Sequence, residues 1–217
     1  MVNKDQLKTI FRGGWHSRLG QTKCGNGSEG QYAQMIVMMM EIIVKKLNIK
    51  TVADVGCGDL NIGATILPFI DEYYGYDLVD WGEEWSLTKQ LAKSLNKKLV
   101  LKSDFSAIHD TIQPVDIIFC NNVFVHYSNE DVVTMLENFK KSGSKFLWCW
   151  ENNIYLTNND RKQVIASKES NGSVNLSLPP FNLSEMIEIK TDFHSLCEDF
   201  FFIRTPNRKM TIYRINP

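Results

Sequence analysis

This sequence has no surplus of charge: 24 basic and 25 acidic side chains leave a formal net charge of -1. A polyanion-binding surface or a polybasic membrane anchor is not advertised, so neither nucleic acid nor membrane is an expected partner. Cysteine is scarce as well. Cys24, Cys57, Cys120, Cys149 and Cys197 are odd in number, scattered and never in Cys-x-x-Cys spacing, so neither a disulfide framework nor a zinc site follows. The expected compartment is reducing. The most apolar stretch, Met35 to Val44, is interrupted by Glu41 and is too short to span a bilayer. The first residues lack the charged start, apolar run and cleavage site of a signal peptide, so a cytoplasmic protein is expected. Repeats, linkers and low-complexity tails are also missing. What is present, 43% hydrophobic and 23% charged residues over 217 positions, suits one compact α/β domain with a proper core.

From Gln31 to Leu47, Tyr32, Met35, Ile36, Met39, Ile42, Ile43 and Leu47 recur at helical spacing, and Lys45 and Lys46 favour a C-terminal end. The methionine run Met38 to Met40 reads as core filler. Strand-like runs follow at Thr51 to Val55, Tyr73 to Asp77, Leu99 to Ser103, Asp116 to Asn121, Lys145 to Trp150, Phe200 to Arg204 and Met210 to Ile215. The first five are separated by crossover-length segments, which favours parallel pairing. The last two are joined by Thr205 to Lys209, which suits a hairpin. A seven-stranded, Rossmann-like, mostly parallel twisted sheet is expected, with one antiparallel terminal strand and helices on both faces. Residues 1–30, rich in glycine and polar groups, are expected to form an N-terminal lid, and the Asn/Ser-rich residues 151–190 an insertion. Both are expected over the carboxyl edge of the sheet, where open α/β folds bind ligands.

The chemistry concentrates at Asp54-Val55-Gly56-Cys57-Gly58-Asp59. Gly56 and Gly58 allow a backbone path closed to bulkier residues and a close approach by a ligand. The third glycine of a dinucleotide fingerprint is absent, since position 61 is Asn61. Two carboxylates, Asp54 and Asp59, flank the turn and would repel a pyrophosphate. S-adenosylmethionine, with an ammonium, a sulfonium and no phosphate, suits that charge better. Asp77 lies about 20 residues beyond the turn, where an acid accepts from ribose hydroxyls.

On these residues the chain resembles class I S-adenosylmethionine-dependent methyltransferases. The resemblance implies that the turn of Gly56, Cys57 and Gly58 contacts the methionine part of the cofactor, with Asp54 supporting its amino group. The family's usual third glycine falls on Leu60. Asp77 is implied as the ribose acid with Leu78 against the adenine, and Asp104, with Phe105 beside it, as acceptor for the adenine amino group. Asn121 to Tyr127 would lie beside the transferred methyl. Asn121 and His126 are the catalytic candidates there, Asn121 also facing the cofactor, and His126 suits a base that deprotonates a hydroxyl. Ser128 with Asp131 reads as a capping box that starts the next helix. The prolines with which some amino-group methyltransferases follow Asn121 are absent.

The segments Trp15-His16-Ser17-Arg18-Leu19, Gly25 to Ser28 and Asn175 to Leu183 are similar to small microbial and viral methyltransferases, several linked to glycan or capsule synthesis. Arg18 offers a planar fork for the carboxylate of the methionine part or of an acidic substrate. Trp15, His16, Asn122, Tyr127, Glu151 and Asn152 are candidates for holding the acceptor; no metal is implied. The expected activity is methyl transfer to a small molecule or nucleotide-linked sugar, at a sugar hydroxyl, releasing S-adenosylhomocysteine. Transfer to an amine or phosphoramidate-type nitrogen stays open, as does a nicotinamide-dependent sugar oxidoreductase.

Overall fold

A computed structural model of the chain describes residues 5, 8, 9, 11, 19–25, 28–152, 158, 174–183, 185–188 and 208–216. Seven strands form one sheet in the order β3-β2-β1-β4-β5-β7-β6. They are β1 Thr51–Val55, β2 Glu72–Tyr76, β3 Lys98–Lys102, β4 Ile117–Cys120, β5 Phe146–Asn152, β6 Glu185–Glu188 and β7 Arg208–Arg214. Strands β1 to β5 pair in parallel, and β7 runs antiparallel between β5 and β6. This is the mostly parallel, Rossmann-like sheet with one reversed strand that the residue pattern implies.

The period of two along β1 sorts its residues to two cores. Ala53 and Val55 join Tyr74, Tyr76, Ile118 and Leu147 on one face, and Val52 joins Tyr73, Phe119 and Trp148 on the other. Helix α1 (Gly30–Lys46) covers the second face through Ile36, Met39, Met40, Ile43 and Val44. Met39 and Met40 are the core fillers the sequence suggests, whereas Met38 points outward, 55% exposed. The short α2 (Gly63–Ile66) and α3 (Glu83–Ser94) lie on the same face, through Ile66 and Trp85. Helix α4 (Asn129–Lys141) covers the first face with Val132, Met135, Leu136 and Phe139, at the i, i+3, i+4, i+7 spacing of an apolar stripe. Each such side chain contributes about 1.5–3 kcal/mol by leaving water. Strand β3 is an edge, and its exposed Lys98 and Lys102 discourage pairing with another chain.

The sixth strand differs from expectation. It falls at Glu185–Glu188, inside the span read as an insertion, and pairs with β7 across a register shift. Four residues with charged ends leave almost no periodic signal, and β7 supplies the pairing. Phe200 to Arg204 and the turn at 205–207 lie outside the described residues. Within the same span, Val174, Leu176, Phe181 and Leu183 enter the core over α4. Asn158 fastens this piece: its Nδ2 donates to Asn175 O at 2.8 Å and Pro179 O at 2.9 Å, and its Oδ1 accepts from Asn175 N. Among the described residues no helix is long and apolar enough to cross a membrane.

Candidate functional site

Strand β1 delivers Asp54 to the carboxyl edge, where it is 4% exposed and accepts from the Tyr73 hydroxyl of β2. Burial pushes its carboxyl up to about 7, against the Tyr73 hydroxyl, and the nearby Asp77 raises it further. The chain then turns. Gly56 N and Cys57 N both donate to Tyr76 O, at 2.8 and 3.1 Å, which ties the turn to the end of β2. Gly56 and Gly58 take positive φ (79° and 57°), and so does Leu60 at 66°. Leu60 therefore adopts the left-handed backbone natural to glycine, at about 1–2 kcal/mol, while burying its side chain.

Asp77, just past β2, ties itself to that turn: Oδ2 accepts from Gly58 N and Oδ1 from Val79 N, both at 2.8 Å. Burial holds its carboxyl above the ordinary carboxylate range against the pull of these two N–H groups, and the Trp81 indole adds a weaker downward pull without closing a hydrogen bond of ordinary geometry. Each carboxylate oxygen retains a lone pair. Leu78 is nearly buried in the core beside it. Phe105 N donates to Asp77 O, joining the ends of β2 and β3, and the Phe105 ring packs on Tyr76 with centroids 4.5 Å apart. Asp104 stands apart from buried Asp54 and half-buried Asp77. It has φ +58°, is 63% exposed and pairs with Lys8.

After β4, the loop from Asn121 runs back over the turn. Among the described residues Asn121 Oδ1 is buried without a hydrogen-bond partner, which costs about 1–3 kcal/mol unless a ligand meets it. Asn122 takes φ +54°. A Cβ on Gly56 would lie 2.4 Å from Val123 Cγ2, and one on Gly58 2.3 Å from Cys24 Sγ. Val123 and Cys24 thus approach these two glycines on the side that a Cβ would occupy. His126 ends a short 3-10 turn and meets the Phe11 ring edge-on at 5.2 Å. Tyr127, expected to touch the acceptor, is 5% exposed and packs in the core with Phe124 and α4. Ser128 caps α4 as its pattern implies: Oγ accepts from Asp131 N and donates to the Asp131 carboxylate, at 3.1 and 2.9 Å.

The N-terminal segment reaches the turn through contacts that spacing did not reveal. Asp59 Oδ2 accepts from Thr22 Oγ1 and from Lys23 N, both at 2.7 Å, and Asn61 Nδ2 donates to Ser28 O at 2.7 Å. Cys57 is half-buried in the turn, and the Trp85 indole donates to Gly58 O at 2.8 Å. Trp15, His16 and Arg18 lie outside the described residues, as do the side chains of Glu151 and Asn152 at the end of β5.

No family model matches this sequence, and neither does any curated protein. Solved structures do. The N-methyltransferase NodS from Bradyrhizobium japonicum, in complex with S-adenosyl-L-homocysteine, aligns over 98% of this chain and 100% of its own, at 8% identity and TM-score 0.63. Magnesium protoporphyrin IX methyltransferase from Synechocystis, with bound S-adenosylmethionine, covers 99% of this chain and 97% of its own, at 14% identity and TM-score 0.59. The methyltransferase domain of bacterial CtHen1-C covers 85% and 98%, at 14% identity and TM-score 0.51. The chain has the fold of class I S-adenosylmethionine-dependent methyltransferases.

Proposed function

We propose that this protein is an S-adenosylmethionine-dependent methyltransferase that O-methylates a sugar hydroxyl on a small molecule or nucleotide-linked glycan precursor, in the cytoplasm. One observation carries the reading: acceptor groups stand at adjacent strand ends, Asp54 on β1, Asp77 after β2 and Asn121 after β4, with Asn121 Oδ1 buried and unpartnered. An anionic ligand finds no welcome there; a cationic, hydroxyl-bearing one does. Two of the neighbours in fold hold S-adenosylmethionine or S-adenosylhomocysteine.

Bound S-adenosylmethionine would supply an electrophilic sulfonium methyl. The chain's own residues then bind and align. Asp77 keeps one lone pair on each oxygen for the ribose hydroxyls, and an ammonium beside Asp54 favours its ionised form. Gly56, Cys57, Gly58 and Leu78 contribute backbone and wall, Asp104 and Phe105 the adenine end, and Arg18 a fork for the carboxylate. Alignment of acceptor and methyl supplies most of the rate, since displacement at a sulfonium needs little covalent help. His126 takes the hydroxyl proton on an imidazole nitrogen, its ring held against Phe11, while Asn121 accepts a hydrogen bond from the acceptor. Trp15, His16, Asn122, Glu151 and Asn152 are the residues for the sugar.

A nitrogen acceptor is the second reading, favoured by the free amide oxygen of Asn121, which suits an N–H as well as an O–H. His126→Ala separates the two. A large loss of turnover with cofactor affinity kept supports a hydroxyl acceptor, and unaltered turnover at every pH removes His126 as base. A screen of nucleotide-linked sugars for transfer of isotopically labelled methyl tests the acceptor itself.

A further inference from the structure

We infer that Asp59 and Asn61 are positioning residues: they hold Thr22 to Gly25 and Ser28 as a strap across the glycine turn, and the strap controls exchange of the adenosyl cofactor. The exchange half rests on the proposed methyltransferase reading; the strap itself does not.

The strap's contacts converge on these two side chains. Asp59 Oδ2 takes two donors at 2.7 Å, the Thr22 hydroxyl and Lys23 N, across 37 and 36 residues of sequence. Asp59 N donates to Cys24 Sγ at 3.2 Å, and Cys24 N donates to Thr22 Oγ1 at 3.0 Å, so the segment is folded on itself as well as fastened. Asn61 Nδ2 reaches Ser28 O, and Asn61 N donates to Asp59 Oδ1 at 3.2 Å, which joins the two anchors. Lys23 and Glu84 form an exposed ion pair that adds little. Cys24 Sγ seats where a side chain on Gly58 would be.

Gly58 is the point of coupling. Its N–H is held by Asp77, the proposed ribose acid, and its other face carries the strap. Asn61, where a dinucleotide fingerprint has glycine, thus has a role in this chain. A cofactor seated between Asp54 and Asp77 leaves past this segment, and lifting the segment requires breaking two hydrogen bonds to a carboxylate.

Two rates on the full chain test this. The first is alkylation of Cys24 by iodoacetamide, read peptide by peptide in a mass spectrometer. The second is dissociation of S-adenosylhomocysteine, read in stopped flow by tryptophan fluorescence. Asp59→Ala is expected to raise both by about tenfold or more, the loss of hydrogen bonds to a charged acceptor. Should that variant fail to fold, Asn61→Gly removes only the amide to Ser28 O and is read in the same way. Unchanged alkylation in a folded variant overturns the strap. Faster alkylation with unchanged dissociation overturns its control of exchange while leaving the cofactor assignment intact. A parent chain that binds no S-adenosylhomocysteine refutes the methyltransferase reading and the exchange claim together, and Cys24 alkylation still decides the strap.

Discussion

Replacing Tyr73 by Phe removes a single oxygen, and the consequence depends on pH. In the parent the Tyr73 hydroxyl is lodged between Gly63, where a Cβ would lie 2.2 Å away, and the Asp54 carboxyl. Burial raises that carboxyl from 3.8 to about 7. The folded state therefore holds a proton that the unfolded state has already lost. The contribution of Asp54 to stability is complete below pH about 3.8 and declines as pH climbs to about 7, by about 4 kcal/mol in all. The hydroxyl favours the ionised carboxyl, so Tyr73→Phe pushes the carboxyl above its parent value. Near pH 5 both chains carry the proton, and the variant loses one neutral hydrogen bond, about 1 kcal/mol. Near pH 8.5 the parent carboxylate keeps a charge-assisted bond that the variant lacks, and the loss grows to about 2–3 kcal/mol. Urea unfolding of both chains at the two pH values gives the difference directly, since every other titrating group cancels between them. Equal differences at both values would refute the account of Asp54 as a buried acid held by Tyr73.

Leu60→Gly relieves a left-handed leucine, about 1–2 kcal/mol, but empties a fully buried position worth about 2–5 kcal/mol. Denaturant titration should show net destabilisation, and a more stable variant would mean that the strain outweighs the packing. Asp77→Ala should weaken S-adenosylmethionine binding by about 1.5–3 kcal/mol for each hydrogen bond lost, and equal affinities in calorimetry would count against the ribose assignment. With Asp54 at about 7, the parent should bind S-adenosylmethionine about tenfold more tightly near pH 8 than near pH 6, releasing a proton. Affinity independent of pH, with no buffer-dependent heat, would separate Asp54 from the ammonium.

The legible parts of this fold are those that local chemistry decides. Strands β1, β2 and β4 are short apolar runs before polar turn residues, and the crossover lengths between them dictate parallel pairing. Asp54 and Asp77 are readable because one is the penultimate residue of such a run and the other just follows one, and the register that sets Ala53 beside Tyr74 and Asp54 beside Gly75 brings their carboxyl ends together. Ser128 is readable because a cap acts over three residues. The illegible parts depend on partners far along the chain. Strand β6 has four residues and exists through β7; Asn158 matters only because three carbonyls and an amide converge on it. The surroundings of Tyr127 and Asp104 are illegible for a related reason. Each follows a strand-end motif that names a position on the edge, but burial under α4 in one case and an ion pair with Lys8 in the other are set by elements the motif does not contain. The same logic explains the glycines. Gly56 and Gly58 announce that something comes close, and only the folded chain shows that Val123 and Cys24 take those places. A ligand at this turn must therefore share it with the segment that Asp59 and Asn61 hold, which makes binding and the position of that segment one equilibrium.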